Sequence, residues 1–124
     1  MALFGKKRFP ESYQSAVGMS ASGRLHENSV ELVRILAENK LLNEDSKIFE
    51  LGSGPARNLY YIYKTLKENE YDTTNLQLHA SDLWKQSSMN SMHTDIKDII
   101  NFLEGDSEDI INNNLIPDLD IFLV

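Results

Sequence analysis

The chain has 124 residues, of which 41% are hydrophobic and 25% are charged, with a formal charge of -7 and no cysteine. This length suits one domain that buries about two-thirds of the surface its unfolded chain would expose. The acidic balance argues against a nucleic-acid partner, and the lack of cysteine excludes disulfides and zinc-thiolate sites and makes a reducing cytoplasm the expected compartment.

Residues 1–46 predict helices and a flexible loop before the first strand. The start, MALFGKKRFP, is basic but is followed by small and polar residues rather than by an apolar signal-peptide core. No run is apolar for long enough to span a bilayer, so we expect no membrane partner. Residues 11–24 predict a short helix and a loop. Apolar residues at helical spacing then predict a helix from Asn28 or Ser29, either of which could cap it, to about Leu42.

Residues 47–124 alternate short apolar runs with helical stretches. The predicted strands are residues 47–51, 76–80, 99–103 and a run that begins near residue 118. The predicted helices are residues 55–66, 84–98 and 108–113. Strands that are nearly all apolar and are joined by helices indicate a parallel sheet covered on both faces. The predicted fold class is therefore α/β.

The stretch IFELGSGPARN at residues 48–58 places a glycine turn after the first strand. Ligands of parallel sheets bind at the carboxyl ends of the strands, where Glu50, Asp82 and Asp106 lie in this chain. A dinucleotide site would need a third glycine at the position of Arg57, and a P-loop would need a Gly-Lys-Ser/Thr sequence that does not follow here. Glu50 also places a negative charge where a phosphate would have to lie. The turn therefore favours a phosphate-free ligand that is cationic or neutral, with an ordinary strand-to-helix turn as the alternative.

The sequence ELGSGPA at residues 50–56 resembles motif I of the class I S-adenosylmethionine-dependent methyltransferases. Ala56 stands at the third glycine of that motif, which is a sterically mild departure. LHASDL, NFLEGDSED and PDLDIFLV resemble, in order, the motifs of the second, third and fourth strands, so the resemblance covers about residues 27–124. It implies the first four strands of a Rossmann-like sheet in the order 3-2-1-4. Residues 47–124 would form the cofactor-binding core, and residues 1–46 would supply helices and a loop that covers the cofactor.

The resemblance implies S-adenosylmethionine as the cofactor. This molecule carries a sulfonium and an ammonium and no phosphate, so a carboxylate near the glycine turn suits it. Asp82 would accept hydrogen bonds from the ribose hydroxyls, Asp106 would face the adenine amino group, and the backbone N–H of Ser107 would face the ring. Arg24 is a candidate for binding the cofactor carboxylate. The implied cofactor-binding residues are Glu50, Gly52, Ser53, Gly54, Asp82, Leu83, Asp106, Ser107 and Arg24.

Other polar and aromatic residues are weaker candidates. Tyr13 or His26 could line the cofactor pocket, and Trp84 either forms a wall for the adenine or packs in the fold. The histidines at positions 26, 79 and 93 share no metal-ligand spacing, so no metal site is predicted. His79, inside a strand, is expected to be a structural residue.

The sequence ends inside the predicted fourth strand, whereas the family continues with three more strands that carry most catalytic side chains. We therefore expect the cofactor-binding half of an enzyme, truncated in the fourth strand, whose methyl acceptor and catalytic residues are unassigned. The edge strand IFLV at residues 121–124 predicts self-association. Two further interpretations stay open: a non-catalytic binding or scaffold module completed by a partner chain, and an enzyme that degrades S-adenosylmethionine.

Overall fold

The computed structural model describes residues 23–113 and 118–124, with residues 23–27 described by their backbone only. The helices are α1 (Gly23–Glu38), α2 (Arg57–Glu68), α3 (Lys85–Ser91), α4 (Thr94–Lys97) and α5 (Ser107–Asn112). The strands are β1 (Lys47–Leu51), β2 (Gln77–Asp82), β3 (Ile100–Glu104) and β4 (Ile121–Leu123).

The four strands form one parallel sheet in the order β3-β2-β1-β4. This confirms the predicted α/β class and Rossmann-like strand order. Strands β2 and β3 lie on one side of β1, and β4 lies on the other, so the strand order reverses between β1 and β4. Ligands of such sheets bind at this point of reversal. The glycine turn follows β1 and therefore lies at this point.

One face of the sheet carries the main hydrophobic core. Ile48 of β1 is in register with Leu78 of β2 and Ile121 of β4, and Leu78 is in register with Ile100 of β3. These side chains form an apolar row, because residues in register on neighbouring strands point to the same face. Helices α1 and α2 pack on this row with a further set of buried side chains: Val33, Leu36, Leu59, Tyr60, Tyr61, Ile62 and Leu66.

The next row of the same face is Leu123, Glu50, Ala80 and Phe102. Glu50 is thus a carboxylic acid in a row that is otherwise apolar. Residues one position away point to the opposite face, where the ring of Phe122 stacks on that of Phe49 with centroids 5.5 Å apart.

Two helical predictions differ from the structure. Helix α1 spans Gly23–Glu38, so it begins five residues before Asn28 and ends before Leu42. Ser29 does not cap it, because its hydroxyl donates a hydrogen bond to Asn58 in α2. The stretch predicted as one helix over residues 84–98 forms two, α3 and α4, because the backbone is extended at Met92 and His93.

Candidate functional site

The turn between β1 and α2 adopts a left-handed backbone at alternate positions. The φ angles are 65° at Gly52, 55° at Gly54 and 57° at Ala56. Glycine occupies this region without steric cost, whereas another residue costs roughly 1–2 kcal/mol. Ala56 at the third motif position is therefore a less mild departure than expected. The turn is also tied to β2, since the N–H of Ser53 donates to the carbonyl oxygen of Ser81 at 2.8 Å.

Asp82 joins the end of β2 to the glycine turn. Its Oδ2 accepts a hydrogen bond from the N–H of Gly54, and its Oδ1 accepts one from the N–H of Leu83, each at 2.7 Å. The structure thus brings together three of the predicted site residues. In a phosphate-binding turn, such backbone N–H groups point at the phosphate. Here the N–H of Gly54 already donates to the carboxylate of Asp82, and the negative charge of that carboxylate disfavours a phosphate beside it.

An open cavity of about 430 Å³ lies between the start of α2 and helix α3. Trp84 stands at its rim with 71% of its surface exposed, so its ring is available to a planar ligand. Carboxylate oxygens have further lone pairs, so Asp82 can accept hydrogen bonds beyond the two backbone bonds. The lining residues are Gly54, Pro55, Arg57, Asp82, Trp84, Ser87, Ser88 and Ser91.

The three serines of this cavity are functional candidates that the sequence interpretation missed. Ser87 and Ser91 are four residues apart on α3 and so share one face of the helix. Hydroxyl groups both donate and accept hydrogen bonds, so they suit a neutral polar ligand. The spacing of serines in KQSSMNS, directly after the strand that ends in Asp82, is the signal that could have identified them.

Glu50 lies at the carboxyl end of β1 and is only 7% exposed. Its Oε2 accepts a hydrogen bond of 2.7 Å from the Nδ2 of Asn58, while its Oε1 is buried and accepts no hydrogen bond from residues 23–113 or 118–124. Burial raises the pKa of Glu50 to about 7, against the opposing effects of Asn58 and the Arg57 charge. Near neutral pH this carboxyl is therefore divided between its charged and neutral forms.

Asp106 and Ser107 begin helix α5 at the same edge of the sheet. The Oδ1 of Asp106 accepts a hydrogen bond from the N–H of Asp109 at 2.8 Å, which is the geometry of a helix N-cap. Both residues are exposed, and neither is among the residues that line the cavity beside Asp82. The N–H of Gly105 donates to the backbone carbonyl of Asp82 at 3.1 Å and so joins the ends of β2 and β3.

Several other candidates fall outside the described side chains or away from the site. Tyr13 lies outside the described residues, and Arg24 and His26 are described only as backbone positions of α1. Asp120, in the fourth-strand motif, accepts a hydrogen bond of 2.8 Å from the N–H of Lys47. Since Lys47 begins β1, Asp120 lies at the amino edge of the sheet, opposite the glycine turn.

Within residues 23–113 and 118–124, no cluster of three or more histidine and acidic side chains has the arrangement of a metal site. In the same part of the chain, no helix has the length and apolar character needed to cross a bilayer. Comparison of the chain with protein-family models, with curated proteins and with solved structures finds no match. The interpretation of the site therefore depends on its sequence and geometry.

Proposed function

We propose that this chain binds S-adenosylmethionine as the cofactor-binding part of a class I methyltransferase, in a cytoplasmic setting that suits a chain without cysteine. One observation supports this most directly. The carboxylate of Asp82 is held against the N–H of Gly54, at the carboxyl edge of a parallel sheet wound in the order 3-2-1-4. A nucleoside without phosphate suits such a turn, and the ordered sequence motifs point to the same cofactor.

The charges of the site favour a cationic nucleoside. Asp82 and Glu50 contribute two carboxyl groups around the glycine turn, and the cofactor offers a sulfonium and an ammonium. A charge-assisted hydrogen bond between a carboxylate and a ligand contributes on the order of 1.5 to 3 kcal/mol. Two or three such bonds supply roughly 3 to 9 kcal/mol, which is a large part of the about 8 kcal/mol that corresponds to a micromolar Kd.

Methyl transfer needs little chemistry from the protein. Attack on the methyl carbon of the sulfonium breaks the carbon–sulfur bond and releases a neutral thioether, which is a good leaving group, so a direct displacement depends mainly on holding the donor and the acceptor in line. The residues described here are assigned to cofactor binding, and the methyl acceptor is left open. A non-catalytic cofactor module and an enzyme that cleaves the cofactor would both share the binding step, and they differ in what happens after it.

Calorimetric titration tests the binding step. We expect S-adenosylmethionine and S-adenosylhomocysteine to bind with micromolar affinity, and ATP and NAD to bind at least tenfold more weakly because Asp82 repels their phosphates. The variant Asp82→Asn should weaken binding about tenfold or more through loss of the charge. Asp45→Asn, which removes an exposed charge in the turn before β1 at the opposite edge, is the matched control and should leave affinity unchanged.

The outcomes separate the candidate functions. A folded protein that binds neither S-adenosylmethionine nor S-adenosylhomocysteine would disprove the proposal. Binding without turnover of the cofactor, also in the presence of cell extract, would favour a non-catalytic module. Loss of S-adenosylmethionine in the absence of any acceptor would favour a cofactor-degrading enzyme.

A further inference from the structure

The rings of Tyr60 and His93 stack between the two helices that border the cavity. Their centroids are 4.0 Å apart and their planes are inclined by 20°. Tyr60 lies in the first turn of α2, where its N–H donates to the carbonyl oxygen of Ala56 in the glycine turn at 3.0 Å. His93 follows the end of α3 by two residues, and Ser91, the last residue of α3, lines the cavity. The stack therefore joins the start of α2 to the end of α3.

The ring of His93 also caps helix α4. Its Nδ1 accepts a hydrogen bond of 3.1 Å from the backbone N–H of Asp95, which is the geometry of a side-chain N-cap. Only a neutral imidazole has a ring nitrogen that can accept, because both nitrogens of a protonated histidine carry a hydrogen. This cap therefore exists only while His93 is neutral.

The groups beside His93 attract its protonated form in a different way. The Oδ2 of Asp95 lies 3.7 Å from the Nδ1 of His93, so a protonated ring that turns can donate to the carboxylate instead of accepting from the N–H. The face of the Tyr60 ring attracts a cation as well. The side chain of His93 is 21% exposed, so a proton from solvent can reach it. Each protonation state thus has its own set of contacts.

Other ionisable groups near the stack do not compete with His93 in this change. Burial, with smaller effects of Asp95, Glu68 and Tyr63, raises the pKa of Tyr60 to about 12, so its hydroxyl stays neutral. The residues of α3 that precede His93, at positions 89–92, carry no charge. Histidine is the side chain that ordinarily changes its charge between about pH 5 and 8.

Helix α4 is short enough to depend on its cap. It has four residues, so it is a single turn, and single turns are not stable by themselves. Ile96 anchors it in the hydrophobic core with no exposed surface, and the buried Met92 anchors the chain just before His93. A change at His93 therefore acts between two anchored residues, next to the end of α3.

We propose that His93 is a pH-sensitive switch, whose neutral ring caps α4 and holds the end of α3, and whose protonation opens the first turn of α4 and loosens the α3 side of the cavity. His93 is not among the residues that line the cavity, so it would act on a ligand through α3. The effect on cofactor affinity rests on the proposed function, whereas the opening of α4 does not.

Hydrogen exchange measured by nuclear magnetic resonance tests the opening of α4 without a ligand. The measured quantity is the protection of the Asp95 N–H, relative to the exchange rate of an unstructured peptide at the same pH. In the wild-type protein, protection should fall about fivefold between pH 8 and pH 5, the effect of a typical N-cap side chain. In His93→Asn, it should stay constant, because asparagine is a good N-cap residue that does not titrate.

Two further variants isolate the role of His93. Asp95→Asn keeps the backbone N–H and removes the carboxylate that attracts the protonated ring, so the loss of protection should move to lower pH. His79→Gln is the matched control, because it removes a histidine that also pairs with an amide, the Nδ2 of Asn101 at 2.9 Å, but lies in β2. It should keep the wild-type fivefold change.

Calorimetry with S-adenosylhomocysteine tests the effect on the cavity. Lowering the pH from 8 to 5 should weaken binding about fivefold more in the wild-type protein than in His93→Asn. The comparison cancels the titration of Glu50 and of the ligand, because both are common to the two proteins.

The possible failures are distinct. Constant protection of the Asp95 N–H in the wild-type protein, or an equal fall in His93→Asn, would overturn the switch and leave the proposed function intact. A switch that opens α4 while the two proteins show the same pH dependence of affinity would disprove its effect on the cavity. Failure to bind S-adenosylhomocysteine at either pH, with the expected change in protection, would overturn the proposed function and retain the opening of α4.

Discussion

The carboxylate of Asp82 closes the glycine turn, since its Oδ2 accepts a hydrogen bond of 2.7 Å from the backbone N–H of Gly54. The two residues lie 28 positions apart in sequence and at the ends of neighbouring strands. A second hydrogen bond, from the N–H of Leu83, fixes the other carboxylate oxygen. A residue predicted to bind a ligand is therefore also part of the structure that shapes the site.

This double role predicts a loss of stability in Asp82→Ala. Removal of a carboxylate that accepts two backbone hydrogen bonds should lower the free energy of unfolding by about 2 kcal/mol. Asp82→Asn, which keeps one acceptor oxygen, should lose about half as much. Urea denaturation at pH 7 measures both, with Asp45→Ala as a control expected to change stability by less than about 0.5 kcal/mol. Wild-type stability in Asp82→Ala would show that the carboxylate does not hold the turn.

The buried Glu50 predicts that stability falls as the pH rises. Burial raises the pKa of Glu50 from 4.5 to about 7, so the folded protein binds this proton more tightly than the unfolded chain does. Its stabilising effect is complete below pH 4.5 and is lost as the pH rises to about 7. The difference amounts to roughly 3 kcal/mol, since one pKa unit corresponds to about 1.4 kcal/mol.

The variant Glu50→Gln isolates this effect, because glutamine stays neutral at every pH. Urea denaturation from pH 5 to pH 8 should show the variant gaining stability relative to the wild type as the pH rises. Comparing the two proteins also removes the contribution of His79, whose pKa is lowered by burial and by Lys47 and which destabilises the fold in acid instead. A constant difference across this range would show that Glu50 does not titrate there.

The sheet was predictable because its signals are local. Each strand contains a short run with several apolar residues that ends near a turn residue, and strands of this kind joined by helices are typical of a parallel sheet covered on both faces. The proximity of Gly54 and Asp82 followed from the same reasoning, since both follow neighbouring strands at one edge. The break between α3 and α4 did not follow, because it depends on extended residues at Met92 and His93 inside a sequence of weak helical character.

The chain of hydrogen bonds through Ser29, Asn58 and Glu50 was not predictable from sequence. Ser29 is a common helix N-cap residue, and its spacing ahead of an apolar stripe predicts that role. In the structure, its hydroxyl instead donates a hydrogen bond to Asn58, 29 residues away. Periodicity also assigns Glu50 only to a strand, because its burial between Ala80 and Leu123 depends on the register of three strands.

Substituting glycine for residues that have a left-handed backbone is expected to stabilise the fold. Glu70, two residues beyond the end of α2, has a φ of 65° and is exposed. Glu70→Gly should raise the free energy of unfolding by roughly 1 kcal/mol, because glycine adopts this conformation without steric cost. Ala56→Gly should gain less, because it also removes a buried methyl group worth about 0.8 kcal/mol.

The control is the same substitution two residues earlier, at the last residue of α2. Glu68→Gly should lower stability by about 1 kcal/mol, because glycine is unfavourable in a helix and the change removes the ion pair with Lys64. Thermal or urea denaturation ranks the three variants. If Glu70→Gly lowers stability as much as Glu68→Gly, the cost of the left-handed backbone at position 70 is negligible.

The outer edge of β4 predicts concentration-dependent self-association. Among the described strands, β4 pairs only with β1, so its other edge can template a further strand. Phe122 is 49% exposed beside this edge, although its ring stacks on the buried Phe49. Phe122→Lys should shift the protein toward monomer in analytical ultracentrifugation, because a lysine on an edge strand opposes pairing.

Ile35→Lys is the control, because it changes a comparably exposed residue, 44%, on α1, and it should leave association unchanged. Equal effects of the two variants would show that the association depends on exposed hydrophobic residues in general. A wild-type protein that stays monomeric at all concentrations would show that the edge of β4 does not pair. Circular dichroism of Phe122→Lys separates a lost contact from a lost fold, since only the second would reduce the helical signal.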